Sequence, residues 1–272
     1  MAGYRWQRRR KVKSAWCRLT RGGPLKCGLA KDAPARQPWD RPWRQPILKL
    51  AMIKIDLFSD PICPWCFIGK RRLEAALETR PDLDVAIQWH SFQLNPMMPL
   101  EGMRREDYLA LKFGNPGNAR RLYDNISAVG AQAGIFFAFE KIARTPNTLR
   151  AHRLIRYAGF TGRQSDIVEA LFNAYFLDGF DIGDIQVLAD LAARTGLNRA
   201  ETFGYLETDE DLDLIKAEDM QARQLGVQGV PFYILEEQYA ISGAQEAEAF
   251  HPLFDLLLAQ QRNAERVLAE AD

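Results

Sequence analysis

The chain has 272 residues, of which 47% are hydrophobic and 26% are charged, and its formal net charge is +1. This composition is typical of a soluble protein that is long enough to bury a substantial core in one or two compact units. No segment contains the roughly 18 uninterrupted apolar residues of a membrane-spanning helix, which argues against an integral membrane protein.

The charge is divided unevenly along the chain. Residues 1–50 contain 14 Lys and Arg and carry a net charge of +12, whereas residues 51–272 carry a net charge of −11. Glycine and proline are frequent in residues 20–46, and aliphatic periodicity is almost absent there. We therefore expect residues 1–51 to be a disordered basic tail, or a spurious extension ahead of a natural start at Met52.

The basic segment also bears on the destination and partners of the protein. It lacks the apolar run of about 7 to 15 residues that a secretory signal requires, so we expect a cytoplasmic protein. Tryptophans among its arginines would suit contact with nucleic acid or an anionic membrane: Trp16, Trp39 and Trp43. We keep this contact as a minor alternative, and expect neither a membrane nor a nucleic acid as the partner.

The pattern that begins at Met52 indicates a strand, a helix and a second strand. Residues 52–58 alternate apolar with polar side chains and are rich in β-branched residues, which favours a strand. Pro64 suits the first turn of a helix, and Pro81 ends the helical pattern. Alternation returns in residues 84–94 and predicts the second strand.

The remaining sequence is predicted to be largely helical. Residues 100–207 show helical spacing closed by glycines, without a strand pattern. Two short strands, "VPFYIL" and "QYAIS", and an amphipathic helix from about Glu246 end the chain. We therefore divide the folded part into a first strand-and-helix part at 52–99, an all-helical insertion at 100–207 and a second strand-and-helix part at 208–272. The helix that opens this second part brings four apolar side chains to one face: Leu214, Ala217, Ala222 and Leu225.

Cys63 and Cys66, in the pattern Cys-Pro-Trp-Cys at the start of the first predicted helix, are the cysteines of the folded part. Zinc would usually require further paired Cys or His ligands, and the histidines stand singly, so we expect no metal. A purely structural disulfide would close too small a loop to stabilise the fold much. A redox-active pair is therefore our main interpretation.

The two thiols are expected to have unequal roles. Cys63 would lie at the mouth of the helix, where unpaired N–H groups and the helix dipole stabilise the attacking thiolate, so we assign it as the nucleophile. Cys66, one turn further and more buried, would resolve the mixed disulfide. Pro64 and Trp65 would set the geometry, shield one side and contribute to the substrate-binding surface.

Several phrases carry a specific resemblance: "SDPICPWCFIGKRR", "WHSFQLNPMMPLEG", "RTPNTLRAHRLI", "ALFNAYFLDGFDIGD", "GVQGVPFYIL" and "ISGAQ". Together they cover residues 52–250 and are similar to the DsbA family of thioredoxin-fold proteins, most of all to its cytoplasmic FrnE-like branch. The resemblance implies an α/β fold, namely a thioredoxin fold with an inserted all-helical domain. Residues 52–99 and 208–272 would then be the first and second parts of the thioredoxin-like domain.

The resemblance also implies a cis peptide bond between Val230 and Pro231, facing the cysteines. The backbone of residue 230 would then pair with an extended substrate, which makes Val230 and Pro231 substrate-binding residues. The structural alternative is a proline at a strand edge. Other positions in family-like phrases could equally serve core packing or helix capping: Asn147, Thr148, His152 and residues 243–245.

One position departs from the family pattern. Thioredoxins and typical periplasmic members carry an acidic residue that handles the proton of the resolving thiol, and this chain has Leu57 there. Asp56 would point to the opposite face of the strand. Asp60 could substitute, or it could act only as a helix-start cap or turn residue.

The resulting functional hypothesis is a thiol-disulfide oxidoreductase or isomerase that acts on protein or small-molecule disulfides. It requires no bound cofactor, and glutathione or another thiol would be the co-substrate. In a reducing cytosol the dithiol would be the resting state, which favours reduction or reshuffling. The alternative is a glutathione-dependent isomerase or transferase of the 2-hydroxychromene-2-carboxylate isomerase or kappa-class type, whose members carry serine in place of Cys63. A third hypothesis is a non-enzymatic role in redox sensing or binding.

Overall fold

The computed structural model describes residues 52–114 and 116–270. The predictions for residues 1–51 lie outside this part. Its strands are β1 (Ile53–Ser59), β2 (Val85–Ser91), β3 (Met103–Arg104), β4 (Arg144–Thr145), β5 (Phe232–Leu235) and β6 (Tyr239–Ser242). Its α-helices are α1 (Pro64–Glu78), α2 (Arg105–Phe113), α3 (Pro116–Gln132), α4 (Leu149–Gly159), α5 (Gln164–Phe176), α6 (Ile185–Arg194), α7 (Arg199–Glu207), α8 (Leu212–Gln224) and α9 (His251–Glu270).

Four strands form one mixed sheet in the order β2-β1-β5-β6. β1 and β2 are parallel, and α1 supplies the crossover connection that a parallel pair requires. β5 runs antiparallel to β1 and to β6, with Leu57 opposite Tyr233. The predicted strand, helix, strand order and the two short strands predicted near the C-terminus are confirmed. The N-terminal and C-terminal parts of the described chain therefore share a single sheet, as in a thioredoxin fold.

The two faces of the sheet bury different clusters. Alternate β1 residues, among them Ile55 and Leu57, join a large core that contains Phe67 of α1. Phe67 stacks on Phe172 of α5, with ring centroids 5.0 Å apart, and so fastens the helical segment to α1. Phe58, of opposite parity in β1, belongs instead to a smaller cluster against α8. Each fully buried side chain of this size stabilises the fold by about 1.5–3 kcal/mol.

The segment between β2 and α8 is mainly helical, but not entirely so. Met103 pairs with Thr145, and Arg104 pairs with Arg144, in the two-residue antiparallel ladder of β3 and β4. A short 3-10 helix at Phe139–Lys141 precedes β4. The prediction of an all-helical segment was wrong in this detail, because two residues are too few to show alternation.

The buried face of α8 agrees with the predicted one only in part. Leu214 is 50% exposed, and Ala217 is also exposed. Ala222 is buried as predicted, and Leu225 is half-buried. The other buried residues of the helix are Ile215 and Asp219, which lie at helical spacing from Ala222. The sequence pattern failed here because the buried stripe contains a carboxylate.

The C-terminal helix begins slightly later than expected. A 3-10 turn at Ala247–Ala249 precedes α9, so the regular helix starts at His251 rather than near Glu246. Phe250 and Phe254 are fully buried against the main core, as an amphipathic helix requires. Among the residues that the structure describes, no helix is both long enough and apolar enough to cross a membrane.

Candidate active site

Cys63 and Cys66 lie at the N-terminus of α1, as predicted. Cys63 is the N-cap residue, with extended φ and ψ of −91° and 112°, and Pro64 occupies the first turn. The Cys63 carbonyl accepts hydrogen bonds from the backbone N–H of Cys66 at 3.0 Å and of Phe67 at 3.4 Å. Cys63 therefore lies at the N-terminal, positive end of the helix dipole.

The Cys63 thiol faces the loop that precedes β5. It donates to the carbonyl oxygen of Val230, and the sulfur and oxygen lie 3.6 Å apart. The Val230–Pro231 peptide bond is cis, as the family resemblance implied. Val230, like Pro64 and Trp65, is half-buried, whereas Pro231 is buried. These apolar residues flank Cys63, Pro64 and Trp65 from α1 and Val230 and Pro231 from the loop.

A glycine allows α1 to approach this loop. A Cβ atom at Gly69 would lie 2.7 Å from Cγ of Pro231 and would also overlap the hydroxyl of Tyr233. The Tyr233 hydroxyl is buried and has no hydrogen-bond partner among the described residues. Burial, together with the nearby charges of Cys66 and Cys63, raises the pKa of Tyr233, which therefore stays neutral. The sequence analysis did not identify Tyr233 as a neighbour of the cysteines, because an aromatic residue in a predicted strand is typical of a buried core position.

Cys66 lies deeper than Cys63, with 1% of its surface exposed compared with 4%. Burial raises the pKa of Cys66 well above its usual value, and the neighbouring Cys63 raises it further. The nearby Ser59 hydroxyl and the backbone N–H of Asp60 act on this pKa in the opposite direction. The Cys66 proton must therefore be removed before this thiol can attack a disulfide.

Asp60 is completely buried directly after β1. Its Oδ1 accepts from the Ile62 N–H at 3.2 Å, and its Oδ2 accepts from the Leu94 N–H at 2.7 Å. Burial raises the pKa of Asp60 to about 7, although these bonds and a hydrogen bond from the Thr148 hydroxyl favour the charged form. Asp60 is thus a turn residue, and Cys63 rather than Asp60 caps α1.

His152 of α4 faces Asp60. The imidazole is 1% exposed, and its Nε2 lies 4.0 Å from Oδ1 of Asp60. The imidazole ring donates a hydrogen bond to the backbone carbonyl of Phe92. Its Nε2 atom has no hydrogen-bond partner among the described residues. Nδ1 therefore carries the hydrogen, and Nε2 presents a lone pair. Burial lowers the pKa of His152 to about 4, so the ring is neutral at pH 7. The sequence analysis considered Asp60 and His152 separately, and no sequence pattern predicted that their side chains lie close together.

Other positions in the family-like phrases have structural partners. The Asn147 side chain accepts from the Leu149 N–H at 2.9 Å and donates to the Met98 carbonyl at 2.7 Å, which joins α4 to the loop after β2. Gln245 donates to the Ser242 carbonyl at 2.8 Å. The capping explanation for Asn147 therefore holds, and these side chains position loops rather than contact the cysteines.

The opposite face of the sheet carries a separate charged cluster. Asp56 and Glu218 each accept from His90, with oxygen–nitrogen distances of 2.7 Å. Burial alone would lower the pKa of His90, but the two carboxylates raise it to about 9. Leu57 itself is buried in the main core. Within the described residues, no group of three His, Cys, Asp or Glu side chains could hold a metal ion.

Comparison with known proteins identifies the family. Residues 54–255 match the DSBA-like thioredoxin domain family. The chain belongs to the DsbA family. The Cys-Pro-Trp-Cys helix start and the cis proline of this DsbA-family protein thus lie within the matched region. It is a member of a family of thiol oxidoreductases.

Individual relatives cover most of the chain. The structure named probable DsbA oxidoreductase SCO1869, from Streptomyces coelicolor, is 31% identical with a TM-score of 0.68, over 78% of this chain and 90% of that one. Uncharacterized protein YwbO of Bacillus subtilis is 26% identical over 73% of this chain and 94% of its own length. Cytosolic disulfide reductase DsbM from Pseudomonas aeruginosa, solved with glutathione, shares the fold at 20% identity and a TM-score of 0.51, over 78% and 99%.

Proposed function

We propose that the protein is a thiol-disulfide oxidoreductase or isomerase that uses Cys63 and Cys66 as its redox pair. The observation that carries this proposal is the placement of the Cys63 thiol at the start of α1, 3.6 Å from the Val230 carbonyl. Membership of the DsbA family supports the same chemistry. Protein disulfides and low-molecular-weight disulfides are both substrates under this proposal.

The reaction proceeds by two thiol-disulfide exchanges. The Cys63 thiolate attacks one sulfur of the substrate disulfide, and the other substrate sulfur leaves as a thiolate. The Cys66 thiolate then attacks the sulfur of Cys63, which releases the second substrate thiolate and leaves a Cys63–Cys66 disulfide. Two electrons pass from the protein to the substrate, and the reverse sequence oxidises a dithiol. Isomerisation needs only the first exchange followed by attack of another substrate thiol.

The surface around Cys63 suits an extended substrate. Val230 offers its backbone beside the nucleophile, and Pro64 and Trp65 supply half-buried apolar surface on the helix side. A substrate segment that adds to exposed backbone gains affinity from main-chain hydrogen bonds, with little demand on its side chains. We therefore assign these residues, together with Pro231, to substrate binding.

The cytoplasm is the compartment in which we place this activity, with glutathione or another small thiol as co-substrate. A reducing cytosol would return the Cys63–Cys66 disulfide to the dithiol and so support reduction or reshuffling of disulfides. The fold shared with DsbM, a disulfide reductase solved with glutathione, is compatible with such a thiol. The FrnE-like branch remains our proposed position within the family.

Three assays on one preparation test this function: reduction of insulin, reactivation of scrambled ribonuclease, and conjugation of glutathione to an aromatic electrophile. We expect turnover in at least one of the first two assays and none in the third. The Cys63→Ala variant is the matched control and should be inactive in both disulfide assays. Conjugation of glutathione without disulfide turnover would refute the proposal and favour the glutathione-dependent alternative.

A further inference from the structure

In the resolving step the Cys66 thiol must give its proton to an acceptor. The position at which thioredoxins carry an acidic residue is occupied here by Leu57, which cannot accept a proton. Cys66 is 1% exposed, so its proton cannot pass directly to bulk water. Leu57 is apolar and buried in the same core as Cys66. Asp56 lies on the other face of β1, where it accepts a hydrogen bond from His90. The acceptor must therefore come from another part of the site.

Asp60 is the carboxylate placed next to Cys66. Its backbone N–H is a hydrogen-bond partner of the Cys66 thiol, and its backbone carbonyl accepts from the Cys63 N–H at 2.9 Å. Asp60 therefore contacts both cysteines through its backbone, which brings its buried carboxyl group near the reacting thiol. Ser59 and Tyr233 are also close, but a hydroxyl is too weakly basic to hold a proton near pH 7.

The surroundings of Asp60 allow both of its protonation states. Three donors favour the carboxylate: the N–H groups of Ile62 and Leu94 and the hydroxyl of Thr148. Complete burial favours the neutral acid. His152 supplies what a protonated Asp60 would otherwise lack, namely an acceptor, because its unpartnered Nε2 lies 4.0 Å from Oδ1. A small movement would close this distance to a hydrogen bond.

We propose that Asp60 accepts the proton of Cys66 in the resolving step and that His152 is a positioning residue that stabilises the protonated carboxyl. The inference rests on the proposed thiol-disulfide exchange. The Cys66 S–H bond breaks, its proton goes to an oxygen of Asp60, and its electron pair forms the bond to the Cys63 sulfur. The substrate thiolate leaves, and the proton on Asp60 later passes to solvent or to that thiolate, so no further oxidant or reductant is needed.

The other charged groups near the pair lie on α8. Asp219 faces both Asp60 and His152, and its charge raises the pKa of each. Asp219 is itself held by the Gln93 N–H at 2.7 Å and by Nε of Arg223 at 2.9 Å. The charge of Glu218 also raises the pKa of His152, although this carboxylate is hydrogen-bonded to His90. These carboxylates stabilise an added proton on the Asp60–His152 pair.

Ellman's reagent, an aromatic disulfide, separates the two exchanges because each releases one coloured thiolate. Stopped-flow mixing with the reduced protein from pH 5.5 to 9 measures the first release, by Cys63, and the second release, by Cys66. In the wild type we expect the second rate to rise with pH and to level off with a midpoint near 7, where Asp60 loses its proton. Asp60→Asn should slow the second release about 100-fold at pH 7 and make it proportional to hydroxide.

Two further variants move the midpoint in opposite directions. His152→Leu removes the acceptor for the protonated acid and should lower the midpoint by about one pH unit, whereas Thr148→Val removes a donor to the carboxylate and should raise it. Asp56→Asn is the matched control, a like substitution on the other face of β1, and should leave the midpoint unchanged. The opposite shifts test the proposal even if Asp60→Asn fails to fold.

The outcomes distinguish the inference from the proposed function. Absence of a first release from folded wild-type protein would refute the proposed function itself. A normal first release, combined with a second release whose rate and midpoint are the same in the wild type and in the Asp60, His152 and Thr148 variants, would overturn the proton-acceptor assignment alone. A midpoint that moves with Asp56→Asn to the same extent would also overturn it.

Discussion

The Cys63 thiol donates to the carbonyl oxygen of Val230 at 3.6 Å, although 167 positions separate the two residues in the chain. The contact exists because β1, which leads into Cys63, pairs with β5, which follows the Val230–Pro231 loop. The nucleophile and its neighbouring backbone thus belong to adjacent strands of one sheet. A displacement of either strand would separate them, so the site depends on the sheet register.

The first prediction concerns the unequal roles of the two cysteines. Cys66→Ala should still attack a disulfide but fail to resolve it, and so accumulate a mixed disulfide on Cys63 that mass spectrometry detects under non-reducing conditions. Cys63→Ala should accumulate little, because burial raises the pKa of the remaining Cys66 thiol and keeps it protonated. Alkylation of the wild type at mildly acidic pH should label Cys63 first. Trapping mainly through Cys66 would reverse this assignment.

The second prediction uses the serine found in glutathione-handling relatives. Cys63→Ser should abolish disulfide exchange, because a serine hydroxyl is not ionised near neutral pH and cannot form a disulfide. Its measurement is insulin reduction, followed by a glutathione-dependent isomerisation assay on the same sample. Retained or increased isomerisation in this variant would favour the glutathione-dependent alternative over thiol exchange.

The third prediction tests the close approach of α1 to the Val230–Pro231 loop. Gly69→Ala places a methyl group 2.7 Å from Cγ of Pro231, so either the loop or α1 must shift. Overpacking of this kind costs about 1–3 kcal/mol of unfolding free energy, and it should also slow insulin reduction because the loop borders Cys63. Urea unfolding and initial rates provide the two readouts.

The control for this substitution is another helical glycine. Gly204 in α7 has no atom within 4 Å of the position of an added Cβ, so Gly204→Ala should leave activity unchanged. Because alanine favours a helix, stability should stay the same or rise by up to about 1 kcal/mol. Equal destabilisation by the two substitutions would show that the contact with Pro231 is not the cause.

Local patterns of the sequence account for the elements that carry the cysteines. Alternation in β1 and Pro64 in the first turn of α1 together predict a strand that ends beside a helix N-terminus, and the structure has this arrangement. Cys63 and Cys66 are therefore placed by short-range information. The cis bond before Pro231 was expected only from the family resemblance, because few X-Pro bonds are cis.

Long-range pairing of polar groups was not predictable in the same way. Asp219 is 5% exposed because the Gln93 N–H and Arg223 bond its carboxylate, and hydrophobic periodicity in α8 cannot reveal these partners. Asp60, directly after β1, likewise lies close to His152 of α4, which is far away in the chain. From its own segment alone, each residue is predicted to be a turn or core residue. Burial of a polar group depends on partners that a single segment does not contain.

The fourth prediction concerns the stability that His90 provides. His90 links β2 to Asp56 of β1 and Glu218 of α8, and its side chain is 17% exposed. Despite burial, these carboxylates raise the pKa of His90 from 6.5 to about 9 in the folded protein. Since the folded value is the higher one, the stabilisation is fully present below pH 6.5 and is lost as the pH rises through 9.

His90→Gln should therefore reduce the free energy of unfolding by about 3 kcal/mol at pH 6, and by much less near pH 10. Urea unfolding of the wild type and of this variant at both pH values measures the difference. His251→Gln is the matched control, because the hydrogen bond of its ring within residues 52–114 and 116–270 is an exposed one, 3.0 Å, to the hydroxyl of Thr79. If the difference between wild type and His90→Gln is the same at both pH values, His90 stabilises the fold by packing rather than through its charge.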